Sequence, residues 1–210
     1  MAKFISQRVK VLVFPENPVR AIAHPARVCY KSLPKDIIQE IKFVNGLKKS
    51  GHLTPFEHVS ATVELTTSRA VTHELVRHRV ASFAQESTRY CNYSKDKFGN
   101  QLTFIIPEFF QYGSPAWKVW KDAMECAEAY YLTLINMGVK PEEARTVLPN
   151  SLKTEVIMTA NCAEWKHFFN LRACNSTGKA HPQMLEVSRP LLDDFKNTIS
   201  EIFDDLVYGE

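Results

Sequence analysis

The sequence lacks the short signatures of several common protein classes. Its five cysteines never form a CxxC pair, so neither a zinc knuckle nor a disulfide framework is expected, and a reducing cytoplasm suits such scattered thiols. Only seven glycines occur, and none forms GxGxxG, which excludes a Rossmann dinucleotide site. No run reaches the ~18 apolar residues of a membrane span. The first residues also lack the apolar core of a signal peptide, so we expect no membrane partner.

The excess of charge is small as well. The chain has 26 lysines and arginines against 23 acidic residues, a net charge of +3, and the two signs are interleaved. Nucleic-acid binders usually gather a stronger basic excess into a stripe, so nucleic acid is not the expected partner. Apolar residues make up 45% of the 210 positions, which is enough for the core of a single domain, residues 1–210.

Hydrophobic periodicity predicts an α+β protein, with mixed helices and a small sheet. The predicted strands are Lys10–Phe14, Val59–Leu65 and Lys153–Asn161, and Leu102–Ile106 is a short apolar run closed by Pro107. The predicted helices are Val19–Tyr30, Asp36–Lys49, a helix capped by Ser68 that runs to Arg79, Pro115–Met137, a short helix from Pro141, Ala163–Leu171, and one or two helices within Pro182–Val207. The polar residues 80–100 predict a loop.

The densest chemistry lies in residues 77–90. Arg77-His78-Arg79 is followed seven residues later by Ser87-Thr88-Arg89-Tyr90. Guanidinium groups bind phosphate oxygens in a bidentate manner, and the hydroxyl groups add donors. The pattern therefore favours a phosphorylated ligand. The alternative is a solvated basic face paired with Glu74 and Glu86.

Several motifs, in matching order over about residues 20–195, resemble the flavin-dependent thymidylate synthases. Arg77-His78-Arg79 with Ser87 is similar to the RHRx₇S signature of that family, and Ser87–Tyr90 to its S-x-R-Y. Gly51–His58 resembles the GHxTPFEH block, and Ala144–Pro149 resembles A-R-x-x-L-P. Asn161 matches an asparagine of the family, Phe169–Arg172 looks like F-x-L-R, and His181-Pro182-Gln183 resembles a further family tripeptide. One such motif could arise by chance, whereas the ordered set is specific.

The resemblance implies an enzyme that methylates dUMP to dTMP. FAD would be the cofactor, NADPH and 5,10-methylenetetrahydrofolate would be co-substrates, and the chain would form a homotetramer whose sites are shared between subunits. It implies that FAD is bound by Cys29, His52, Thr54, Arg77, His78, Arg79, Val80, Gln85, Asn161, Cys162, Ala163 and His167. It implies that dUMP is bound by Glu74, Leu75, Val76, Arg77, Gln85, Glu86, Ser87, Thr88, Arg89, Arg145 and Arg172.

Arg172 is the candidate catalytic residue. It matches the arginine with which the family favours ionisation of uracil N3. Loss of that proton moves electron density toward C5, the carbon to be methylated, and a fixed guanidinium stabilises the resulting anion.

Other readings of the same residues fit less well. His73-Glu74-Leu75-Val76-Arg77-His78 is one residue too long for HExxH, and side chains five apart on a helix point ~140° away from each other, so no metal is expected. The Pro-Cys-His context of the classical thymidylate synthase nucleophile is absent. A nucleic-acid or nucleotide-binding module could instead stack bases on Tyr90, Tyr93 and Phe98. Ser87 is a candidate for substrate contact rather than for covalent attack.

Overall fold

The computed structural model describes residues 1–34 and 36–209, in which helices and strands alternate along the chain. The strands are β1 (Lys3–Ile5), β2 (Arg8–Val13), β3 (Ser60–Ser68), β4 (Ala81–Gln85), β5 (Thr103–Ile105) and β6 (Lys153–Asn161). The helices are α1 (Pro18–Tyr30), α2 (Ile37–Lys49), α3 (Arg69–Leu75), α4 (Pro115–Asn136), α5 (Pro141–Ala144), α6 (Cys162–Arg172), α7 (Pro182–Thr198) and α8 (Ser200–Phe203). Short 3₁₀ turns cover Thr54–His58, Asp96–Phe98 and Arg145–Val147. The expected α+β class is confirmed.

The strands of the described residues form two sheets, where one was expected. The larger has the strand order β2-β3-β6-β4, and the smaller pairs β1 with β5 in parallel. Strand β4 lies inside residues 80–100, so the predicted loop is wrong there. The mixed stretch Ala81–Gln85 has little strand propensity of its own and pairs with the distant β6, an interaction that local sequence does not record.

The helix boundaries follow the capping residues. Asp36 accepts a hydrogen bond from the Gln39 backbone N–H at 3.0 Å and starts α2, and Ser68 caps α3 at Val71. Gly138, with a φ of 87°, follows the end of α4 in the left-handed conformation that favours glycine. Helix α3 stops at Leu75, four residues short of the predicted end. The basic tripeptide Arg77-His78-Arg79 therefore lies in a turn beyond the helix.

The chain divides into two compact units. The first unit comprises Met1–Arg8, Leu65–Arg77 and Ala84–Val156. Its apolar core consists of Tyr93, Leu102, Phe104, Met124, Tyr131, Ala144 and Leu152. No helix among the described residues is both long enough and apolar enough to span a bilayer.

The second unit comprises Val9–Glu64, His78–Phe83 and Ile157–Glu210. Aromatic rings dominate its core: Trp165 of α6 packs with Phe168, Phe169 and Phe195, at centroid separations of 5.2–5.7 Å. Such offset and edge contacts add ~0.5–1.5 kcal/mol per pair beyond the area that they bury. Helix α6 is thereby held as a rigid element of this unit.

A buried ion pair links α1 to α2 in the second unit. The Nε atom of Arg27 lies 3.1 Å from Glu40 Oε1 and 3.2 Å from Oε2, and both side chains are buried. Removing one partner of such a pair leaves the other charge buried without compensation, which typically costs ~3–5 kcal/mol.

We expect Glu40→Ala to lower the free energy of unfolding by about that amount, which at this chain length lowers the melting temperature by roughly 2–4 °C per kcal/mol. Thermal unfolding of wild type, Glu40→Ala and the double variant Arg27→Leu/Glu40→Leu measures the effect. The double variant should recover much of the loss because no charge remains buried. A melting temperature of Glu40→Ala equal to that of wild type would contradict the assignment.

Candidate active site

The junction between β6 and α6 positions several candidate residues in the second unit. Asn161, the last residue of β6, accepts a hydrogen bond from the Glu164 backbone N–H at 2.8 Å and caps α6. The Cys162 backbone N–H donates to the Val59 carbonyl at 2.7 Å, and the Trp165 indole N–H donates to Ala61 O at 3.1 Å. Both ends of the first turn of α6 are thus fixed before any ligand binds.

His78 is buried between two partners that α6 provides. Its Nδ1 lies 2.9 Å from Glu164 Oε1, and Arg172 Nε donates to His78 Nε2 at 3.3 Å. Because the guanidinium can only donate, Nε2 must carry a lone pair, and the proton therefore sits on Nδ1 and is donated to the carboxylate. Glu164, His78 and Arg172 form a continuous hydrogen-bonded chain, which we call the α6 triad.

Burial lowers the pKa of His78 below its ordinary value, and the nearby Arg172 and His167 lower it further, while the hydrogen bond and the charge of Glu164 act in the opposite direction. The ring is therefore neutral at physiological pH, in agreement with the hydrogen-bond pattern. His78, Glu164 and His167 are close enough to share a metal ion. Since both ring nitrogens of His78 are already engaged in the triad, it has no lone pair left for one.

Three of the residues expected to bind FAD line one cavity of the second unit. Cys29, His52 and Thr54 surround a space of about 360 Å³, between α1 and the turn that begins at Thr54. A second, more open cavity of about 310 Å³ is lined by Arg79, Val80 and Asn161 among others. His167 is exposed and its ring lies against His78 at a centroid distance of 5.7 Å.

The structure limits how Cys162 could contact a flavin. Its side chain is completely buried, burial raises its thiol pKa to about 12, and its N–H is engaged by Val59. The side chain therefore cannot contact a flavin. A contact through the backbone, and the predicted contact of the half-buried Ala163, stay predictions.

In the first unit, the serine-rich loop after β4 is tied to the ARxxLP segment. Arg145 Nη1 donates to Thr88 Oγ1 at 3.3 Å, and Arg89 Nε lies 3.8 Å from Glu142 Oε2. Ser87 Oγ accepts from the Arg89 backbone N–H at 3.3 Å. Arg77 is exposed and ends the segment Leu65–Arg77 of this unit. Arg89 is exposed in the loop after β4. The fold therefore brings the loop residues Ser87, Thr88 and Arg89 beside Arg145 and Glu142.

Sequence reasoning missed two basic residues here. Arg69 and His73 line a cavity of about 200 Å³ together with Thr88 and Arg145. Arg69 Nη2 donates to the Glu86 carbonyl at 2.6 Å, and its Nε is buried with no hydrogen-bond partner among the residues that the structure describes. The spacing of the two residues, i and i+4 on α3, was the available signal, because such residues share one helix face.

Several other expected dUMP contacts are already engaged within the first unit. The Gln85 amide donates to Thr72 Oγ1 and Thr154 Oγ1, and the Glu86 carboxylate binds Tyr93 Oη at 2.7 Å and Lys153 Nζ at 3.1 Å. Glu74 is half-buried and Val76 exposed, so contacts from these two residues stay predictions. The Leu75 side chain is completely buried as a core residue of α3, so a contact of Leu75 with dUMP stays a prediction for its backbone alone.

Two alternative interpretations lose support from these contacts. Glu86 pairs with Lys153 rather than with the basic tripeptide, which weakens the interpretation as a solvated basic face. Tyr93 is buried against Phe98 and Tyr131, so it offers no open ring on which a base could stack.

The fold and these sites define an α+β protein with cation-rich sites suited to phosphorylated ligands. Residues 10–199 match the family model described as thymidylate synthase complementing protein. A flavin-dependent thymidylate synthase of Geobacter sulfurreducens is 36% identical over 176 residues, which cover 80% of this chain and 74% of the relative. One of Clostridium tetani is 31% identical over 225 residues, which cover 96% and 87%. The chain belongs to the flavin-dependent thymidylate synthase family.

The fold is also that of a solved structure. The UMP/dUMP methylase PolB of Streptomyces cacaoi, bound with 5-Br dUMP, superposes with a TM-score of 0.81 at 23% identity, covering 96% of this chain and 95% of that one. As a member of its family the chain is an FAD-dependent methyltransferase that acts on dUMP, with folate as co-substrate.

The exposed Cys29 in the 360 Å³ cavity offers a direct probe of this site. We expect FAD to slow alkylation of Cys29 by iodoacetamide at least several-fold, because a flavin in the cavity would cover the thiol. Cys126, exposed on α4 in the first unit, is the internal control, and mass spectrometry of labelled peptides gives both rates. If FAD slowed neither thiol, or both equally, Cys29 would lie outside the flavin site.

Proposed function

We propose that this chain catalyses the reductive methylation of dUMP to dTMP, with 5,10-methylenetetrahydrofolate as one-carbon donor and NADPH as the source of reducing equivalents. The observation that carries the proposal is the family match, since residues 10–199 include every motif described above. The test is formation of dTMP by the purified chain in the presence of FAD, NADPH and the folate. Omission of FAD should abolish it.

The residues of the second unit suit a flavin. The exposed guanidinium of Arg79 provides a cation for a pyrophosphate, and Cys29, His52 and Thr54 line a cavity large enough for part of the cofactor. Bound FAD, once reduced, supplies the hydride. His78, Val80, Asn161, Ala163 and His167 would contact the cofactor. Contacts of Arg77 and Gln85 with FAD are proposed from the resemblance alone.

The loop after β4 suits the phosphate of dUMP. Ser87, Thr88 and Arg89 supply hydroxyl groups, backbone N–H groups and a cation, and Arg145 adds a second cation to the cavity that it lines with Thr88. Charge-assisted hydrogen bonds of this kind contribute ~1.5–3 kcal/mol each. A protein of the same fold, PolB, holds 5-Br dUMP, which supports a nucleotide monophosphate as the ligand class.

Arg172 is proposed to act on the uracil ring. Its guanidinium is half-buried at the end of α6, and the bond from Nε to His78 leaves its orientation fixed by a rigid core element. A positive charge held in a site of reduced polarity stabilises the N3 anion more strongly than one free in water. The ionised ring is the more nucleophilic at C5, where the one-carbon unit is attached.

We expect Arg172→Ala to fold and to retain FAD but to lose dTMP formation by roughly 10²–10³-fold, the usual effect of removing one preorganised donor. Arg172→Lys should recover only part of the rate, because an ammonium lacks the planar fork that bonds to His78 and the ring at once. Rates at saturating dUMP are compared with flavin absorbance and melting temperature. An Arg172→Ala rate above about a tenth of wild type would contradict the role, because the loss would then be well below the expected range.

We also propose that residues 1–210 act as one enzyme domain, that the active form is a homotetramer whose sites are shared between subunits, and that it works in the cytoplasm. The support for shared sites is the size of the cavity lined by Cys29, His52 and Thr54, which at about 360 Å³ is too small to enclose FAD and dUMP together. The support for a reducing compartment is the five unpaired thiols.

If the active form is a homotetramer, light scattering at the concentration used for the assay should give a single molar mass near that of four chains of 24.0 kDa. Arg79→Ala should lower the flavin content of the purified protein without changing that mass, because the Arg79 side chain is exposed and its loss leaves no cavity in a core. A stable monomer fully loaded with FAD would rule out shared sites.

A further inference from the structure

Glu164 is a buried carboxylate to which neither the motifs nor the resemblance assigns a role. It lies in the first turn of α6, its side chain only 9% exposed, and its Oε1 accepts the proton of His78 Nδ1 at 2.9 Å. Its backbone N–H is taken by the Asn161 cap. The carboxylate is thus aimed at a single partner by a helix whose start is fixed.

We infer that Glu164 is a positioning residue of the proposed reaction, which acts through His78 to orient the Arg172 guanidinium. The inference rests on the proposed role of Arg172 and adds to it the two groups that fix its direction. Glu164 touches neither substrate nor cofactor in this assignment.

The physical argument is one of donors and acceptors. An ionised carboxylate can only accept hydrogen bonds, so the ring nitrogen that faces it must carry the proton. The imidazole then has its lone pair on Nε2, which accepts from Arg172 Nε. In the other tautomer, Nε2–H would face Nε–H of the guanidinium, two donors without an acceptor, and the arginine would be displaced. The carboxylate therefore selects the one tautomer that holds Arg172 in place.

The surroundings of His78 support the same state. The charged or titratable groups that face it are Glu164, His167 and Arg172, all from α6, and Phe168 packs on its edge at 5.0 Å. Burial and Arg172 disfavour the imidazolium, which would have no lone pair for the guanidinium. Below the lowered pKa of His78 the ring becomes protonated, so the orienting bond is lost only at acid pH.

Glu164→Gln is the decisive variant because it keeps size and position. An amide can accept from Nδ1–H or, after a flip, donate to Nδ1, so both tautomers become possible. We expect the turnover of dTMP formation to fall roughly 10–100-fold, the usual worth of a group that orients an active-site histidine, while flavin content and the KM for dUMP stay within about three-fold. Glu164→Asp should restore part of the turnover.

A double-mutant cycle separates positioning from a general structural role. In an Arg172→Ala background, Glu164→Gln should change turnover by less than about two-fold, because the group that it orients is gone. Glu40→Gln is the matched control: it also neutralises a buried, paired carboxylate of the second unit. This control should lower the melting temperature and leave turnover near that of wild type.

A readout without turnover comes from ¹⁵N NMR of the histidine rings in the FAD-loaded protein. His78 should be the Nδ1–H tautomer at pH 8 in wild type, and a mixture or the Nε2–H tautomer in Glu164→Gln. An Nε2–H tautomer in wild type would overturn the inference. So would equal losses from Glu164→Gln in both backgrounds of the cycle. If wild type formed no dTMP while the tautomer result held, the proposed function would fail and the selection of the tautomer by Glu164 would stand.

Discussion

The side-chain cap of Asn161 on helix α6 is the contact on which the candidate active site depends. It converts the end of a buried strand directly into a helix, with no loop between them. The positions of the α6 side chains that contact His78 follow from that start, with Glu164 in the first turn and Arg172 at the last residue. The aromatic core around Trp165 prevents the helix from turning about its axis. A cap is typically worth ~1 kcal/mol of stability, yet here it also sets the position of three side chains.

The α6 triad is electrically balanced, which explains how it can be buried. A lone carboxylate taken from water into a protein interior costs several kcal/mol. Glu164 is negative and Arg172 positive, and the neutral imidazole between them transmits a hydrogen bond in each direction. Charging the imidazole would upset this balance, because it would place a second cation against Arg172. The pKa of His78 is lowered chiefly by burial, and the charge of Arg172 adds to that effect while Glu164 opposes it.

Local sequence predicted the secondary structure correctly where a segment's own residues determine it. The β-branched run of β6 was predicted with its observed bounds, and Ser68 caps α3 as predicted. Local sequence did not predict strands whose pairing partner is distant in the chain. Strands β1 and β4 form because they pair with β5 and β6, respectively. The motifs identified Thr88 and Arg145 as candidate site residues, and these two side chains are hydrogen-bonded in the structure. The motifs could not reveal that the side chains of Leu75 and Cys162 are buried in the core. Motif membership records a position in the chain, whereas burial depends on what packs against it.

The thiols explain why the proposed chemistry has to charge the uracil ring. A cysteine attacks as its thiolate, and burial raises the pKa of Cys91, Cys162 and Cys174, so these three remain protonated at neutral pH. The exposed Cys29 has its Sγ directed at the Pro25 carbonyl at 3.7 Å, and Cys126 lies on the exposed face of α4 with no part in the sites described. In the proposed reaction, electron density reaches C5 by ionisation at N3 and by hydride rather than from any of these three buried thiols. The first of these is the step that we propose the guanidinium of Arg172, held by His78, to favour.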